Sequence, residues 1–150
     1  MPMSFYPLPY LHVLSFMILF SALLVEHLMF RPEFTAGNAR TLMRVDMVYG
    51  FAALSTLTIG ILRMIYFENG VDYYMSNSIF TAKAIIFFAV AILSIIPTAL
   101  FLSWRKDVKA GTRPVVDPGK QRLVIIILRK EILGFLAIPL LAVMMARGIG

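Results

Sequence analysis

Cysteine is absent from the 150 residues. That excludes disulfides, thiolate metal sites, iron–sulfur clusters and the C-x-x-C-H attachment of c-type haem. Charge is also scarce, at 15% of residues, against about 25% in an ordinary soluble domain. Histidine occurs only as His12 and His27, so any imidazole chemistry rests on those two. Low hydrophobicity with high charge, the mark of disorder, is missing as well. What is present is apolar: 60% hydrophobic and 13% aromatic residues, with a mean hydropathy of +0.85. An ordinary cytosolic globular domain is thereby excluded. The formal net charge is +6. Its basic residues crowd between hydrophobic runs, so the excess sets orientation in a membrane. The lipid bilayer is the expected partner and nucleic acid is not.

A span needs about 20 mostly apolar residues, and four segments approach that length. They run from Leu11 to Phe30, Met47 to Phe67, Ile79 to Trp104 and Leu123 to Ala146. The fourth is interrupted by Arg129-Lys130-Glu131, and only Ile132–Ala146 is strictly apolar after it. A longer helix is expected there, with its first turns at the interface and Arg129 and Lys130 snorkelling or facing inward. The first segment lacks a basic start and an A-x-A-like cleavage site, so it reads as a retained helix rather than a signal peptide. Helices satisfy their own backbone in lipid. The expected fold is therefore all-α, a transmembrane four-helix bundle in which residues 1–150 form one domain. Gly50, Ala53, Thr56 and Gly60 offer close approach on the second helix. Pro97 and Pro139 are expected to bend the third and fourth.

Basic residues fall on alternate loops. Arg31, Arg40 and Arg44 lie in the first, and Arg105, Lys106, Lys109, Arg113, Lys120 and Arg122 in the third. The second contains Glu68 and Asp72 and no basic residue between Arg63 and Lys83. By the positive-inside rule the first and third loops are cytoplasmic and both termini periplasmic, in a bacterial inner membrane.

Ionisable residues inside a membrane are costly and are functional candidates by default. On the first helix His12, Glu26 and His27 fall near one stripe, at about 100° per residue. His12 and His27 are about 22 Å apart along that helix, at about 1.5 Å per residue, so they cannot be the two axial ligands of one haem. Two clusters are expected instead. The outer one joins His12, a neutral imidazole suited to a metal, to Arg63 and Lys83, cations that pair with carboxylates such as haem propionates. The plain alternative is that His12 and Lys83 merely anchor helix ends. The inner cluster holds Glu26, Arg44, Asp46, Arg129, Lys130 and Glu131. It is expected to form an ion-pair network, with Glu26 paired to Arg44 or Arg129. His27 either joins that network or ligates a second site.

The runs L-H-V-L-x-F…E-H-L-x-x-R-P, R-x-D-x-x-Y-G-F and I-L-R-x-x-Y-F-x-x-G-x-D-Y-Y-x-x-N-x-x-F-x-x-K, with the closing M-A-R-G-I-G, resemble an uncharacterised family of four-helix bacterial inner-membrane proteins. A more distant likeness lies in the order of His12, His27 and Lys83. It is similar to that in HemJ-type protoporphyrinogen oxidases and in the broader group with CopD-like copper-resistance proteins. That resemblance implies b-type haem and an oxidoreductase or electron carrier, with His12, His27, Lys83 and Arg63 about the cofactor and His12 on the iron. Two alternatives stay open: a haem-free accessory subunit, packed against further copies or a larger membrane complex, and CopD-like copper handling by His12 with methionines. No catalytic residue is singled out, and the ten methionines look scattered along the chain.

Overall fold

Three polar side chains set where the long helices begin. Thr35 Oγ1 accepts from the Asn38 backbone N–H at 3.1 Å, and Asn38 Oδ1 accepts from the Thr35 N–H at 3.0 Å. This reciprocal cap satisfies donors that a helix start leaves open. Asn77 accepts from the N–H groups of Ile79 and Phe80, and Asp117 from those of Gly119 and Lys120. The computed structural model describes residues 7–67 and 70–150, and Glu68 lies outside them. In it α1 is Pro7–Met29 and α2 is Ala36–Leu62, prolonged by a π-helical turn, Arg63–Phe67. A short α3, Val71–Ser76, precedes α4, Ser78–Leu93. α5 (Ile95–Ser103) and α6 (Arg105–Lys109) continue its line, and α7 is Pro118–Ala146.

Four rods result: α1, α2, α4 to α6, and α7. α1 packs on α2 and α7, α4 packs on α7, and α5 closes against α2. The described fold is thus an all-α bundle. Three rods, Pro7–Met29, Ala36–Tyr66 and Ser78–Lys109, are long and apolar enough to cross a membrane. α7 carries the charged triplet and falls short of that composition. Its side chains divide by face: Glu131 is buried while Arg129 and Lys130 are exposed.

The surface is apolar, unlike that of a soluble protein, and a few acids are buried within an otherwise apolar core. Phe51, Ile92 and Leu133 are 68%, 67% and 66% exposed, whereas Glu26 and Glu131 are each 1% exposed. A large apolar surface of this kind marks a membrane contact. Pro97 has no N–H for the helix ladder, and the third rod breaks at Ser94, three residues before it. Pro139 by contrast sits inside an unbroken α7.

One expectation about small residues needs correction. Gly50 faces outward, and a Cβ there would meet nothing within 4 Å. The close helix contact lies at Gly134, where a Cβ would stand 2.8 Å from Val90 Cγ2. This approach adds to the one on α2, where Thr56 is buried and a Cβ at Gly60 would lie 3.1 Å from His12 of α1.

Candidate functional site

The outer end of the bundle holds a cavity of about 450 Å³ whose lining includes His12, Arg63 and Lys83. Helical spacing explains how they meet. His12 and Phe16 are one turn apart on α1, as are Thr56 and Gly60 on α2. Phe80, Lys83 and Phe87 share one face of α4. Gly60 makes room for the imidazole, since a Cβ there would lie 3.1 Å from His12 Cε1. A π-turn adds a residue to a helical turn and is frequent at functional sites; here it carries Arg63 and Met64 to the cavity wall. Lys83 Nζ lies 5.8 Å from the Phe80 ring centroid, within cation–π range. Tyr74 and Met75 come from α3. The rest of the wall is mainly apolar and aromatic, with the Thr56 hydroxyl and the Tyr74 phenol added to the two cations and the imidazole.

His27 does not join this cavity. It is half-buried at the other end of α1, where its Nε2 accepts from Arg129 Nε at 3.4 Å. One of its two ring nitrogens thus faces a guanidinium.

At that inner end the acids meet without the arginines. Glu26, Asp46 and Glu131 come from α1, α2 and α7 and are 1%, 7% and 1% exposed. The Glu26 and Asp46 carboxyls lie side by side. Asp46 Oδ1 also accepts from Thr98 Oγ1 at 3.1 Å. Tyr49 is buried beside them, and its hydroxyl reaches Ser94 at the break in the third rod. Oε1 of Glu26 and Oε1 of Glu131 are buried with no hydrogen-bond partner. Arg44 and Arg129 are exposed. The expected pairing of Glu26 with either is therefore corrected to a carboxyl cluster. The reason is angular: residues two apart on a helix diverge by about 200°. If Asp46 and Glu131 point inward, Arg44 and Arg129 point out. Among the described residues no group of three or more His, Asp or Glu side chains is arranged to hold a metal ion.

The apolar belt and the buried polar ends suit a membrane protein, and a family model described as a predicted membrane protein, DUF2214, matches residues 6–150. The chain belongs to that family. No curated protein and no solved structure matches it. Membership secures an embedded helical protein in contact with lipid, and attaches no reaction to it.

Several members of both clusters escape sequence reasoning. Thr98 is an ordinary residue in an apolar run, and nothing local marks it as a neighbour of acids, whereas the depth of Tyr49 along α2 already sets it beside them. Met64 and Met75 look scattered in sequence, yet both line the outer cavity. Their common signal is a place within a turn of Arg63 or the short α3, which no hydropathy window reveals.

Proposed function

We propose that the outer cavity binds an amphipathic ligand bearing carboxylates, and that the ligand is b-type haem. The supporting observation is the convergence of one imidazole and two cations on a single aromatic-walled cavity. A porphyrin needs a flat apolar wall, an axial nitrogen and cations for its propionates. Phe16, Phe80 and Phe87 would supply the wall, His12 the axial nitrogen, and Arg63 and Lys83 the counter-charges. When bound, haem supplies one-electron chemistry, which is the basis of the HemJ-like oxidoreductase or electron-carrier reading. This chain's residues hold the macrocycle and neutralise its acids.

Protein purified after growth with a haem precursor is expected to show a Soret band. His12→Ala should abolish the band, and His27→Ala should largely keep it. A wild-type protein without a Soret band overturns the reading, as does a band that survives His12→Ala.

A second reading has its own observation. His12, Met64 and Met75 line the same cavity, and imidazole with soft thioethers suits Cu(I). Copper retained on purification without a Soret band would favour this CopD-like role. Neither cofactor would leave the haem-free accessory role.

Orientation belongs to the same proposal. Basic residues at 31–44 and 105–122 support a reading in which those loops are cytoplasmic and both termini periplasmic, in a bacterial inner membrane. An enzyme reporter active only in the periplasm, fused after Gly150, is expected to be active. Activity confined to a cytoplasm-dependent reporter would reverse the orientation.

A further inference from the structure

A second concavity, of about 590 Å³, lies between α2 and the α5–α6 rod and shares no lining residue with the outer cavity. Two helical stripes form it. On α2 the stripe is Arg40, Arg44, Met47, Phe51 and Leu54; on α5 and α6 it is Thr98, Leu102, Arg105 and Lys109. Steps of three and four residues keep each stripe on one face. The two rods run in opposite directions, so the basic end of one stripe meets the basic end of the other. Arg40 Nη2 donates to the Val108 carbonyl at 3.3 Å and ties those ends together. The remaining half of the α2 stripe is apolar, and that of the other carries Leu102 and Thr98, whose hydroxyl is turned to the buried Asp46 at the groove floor. Phe51 and Leu54 stand 68% and 62% exposed along the α2 half.

We propose that this groove binds one anionic phospholipid, with the phosphate among Arg40, Arg44, Arg105 and Lys109 and an acyl chain along Met47, Phe51 and Leu54. Basic pockets between membrane helices are suited to anionic headgroups. The dimensions agree. Arg40 to Leu54 covers about 21 Å at about 1.5 Å per residue, and one leaflet of hydrocarbon is about 15 Å deep. That leaves the arginines at headgroup level. Charge decides against a second copy as the occupant. At this depth another chain would present its own 31–44 and 105–122 segments, which are basic as well. A zwitterionic lipid leaves the four cations without a net counter-charge.

The test uses the full chain in a neutral detergent and native mass spectrometry. Phosphatidylglycerol is compared with phosphatidylcholine of identical acyl chains. At least a tenfold preference for retained phosphatidylglycerol is expected. Arg44→Gln with Arg105→Gln should abolish the preference, and Arg44→Lys with Arg105→Lys should keep most of it. Lys120→Gln with Arg122→Gln removes the same charge elsewhere and should change nothing. Inorganic phosphate at millimolar concentration should not displace the lipid. Equal retention of both lipids overturns the proposal, and so does an equal loss in the Lys120 and Arg122 control. Displacement by phosphate would mean a free-anion site, and a dimer that forms without lipid would mean that a second copy fills the groove. These variants leave the residues of the outer cavity untouched, so the outcome is independent of the haem reading.

Discussion

Replacing Trp104 by alanine is expected to destabilise the purified protein by about 3–5 kcal/mol, whereas phenylalanine at the same place should cost about 1 kcal/mol or less. Trp104 is 2% exposed. Its ring stacks on Phe34 at 5.0 Å and 15°, and meets Phe101 at 5.1 Å and Phe30 at 6.0 Å. The residue joins the third rod to the turn between α1 and α2. Transfer from lipid to protein releases little hydrophobic energy, because both are apolar. The loss in alanine is instead dispersion contact and the cavity left behind. Indole Nε1 is buried without a hydrogen-bond partner, so phenylalanine forfeits no bond and removes an unsatisfied donor. Unfolding in mixed denaturing and mild micelles reads the difference. Equal damage from both substitutions would show that the indole N–H has a partner.

The carboxyl cluster yields the second large effect, and its sign is the informative part. Glu131→Met is expected to raise stability by about 1–3 kcal/mol. The native Oε1 is buried and unpartnered, and the thioether keeps a similar length of chain. Arg129→Ala should change stability by less than about 0.5 kcal/mol, since its side chain is exposed and its contact to His27 is long, at 3.4 Å. An ion-pair network predicts the reverse for both variants. Removing Arg129 from a buried pair would then cost about 3–5 kcal/mol, and Glu131→Met would orphan a cation. The same unfolding assay on the two variants distinguishes a cluster of acids from a network of pairs.

The limits of sequence reading follow the same geometry. Hydropathy finds apolar runs, so it locates the cores of α1 and the third rod closely. It starts the second helix at Met47, because Arg40, Arg44 and Asp46 interrupt the run. The helix itself starts at Ala36, since Thr35 and Asn38 cap the backbone regardless of what the side chains face. The convergence of His12, Arg63 and Lys83 is legible because all three lie near ends of neighbouring spans. The partners of Glu26 are not legible from depth alone. Asp46 and Arg44 have nearly the same depth, and only the angle around α2 separates them. The contact at Gly134 is invisible for a related reason: it depends on which side of α4 carries Val90.

The break at Ser94 bears on how the protein is put together in the bilayer. α4 has 16 residues and α5 has 9, or about 24 and 14 Å of helix at about 1.5 Å per residue. Neither alone reaches across a hydrocarbon layer of about 30 Å. Their supports differ, too, with α4 resting mainly on α7 and α5 on both α2 and α7. α1 and α2 are continuous and pack on each other, so they make a hairpin as soon as both have left the ribosome. The first half of the third crossing has its main packing partner in α7, which lies more than 20 residues further along the chain. The two halves of this crossing therefore owe their places to different neighbours, and the turn at Ser94 is where those constraints meet.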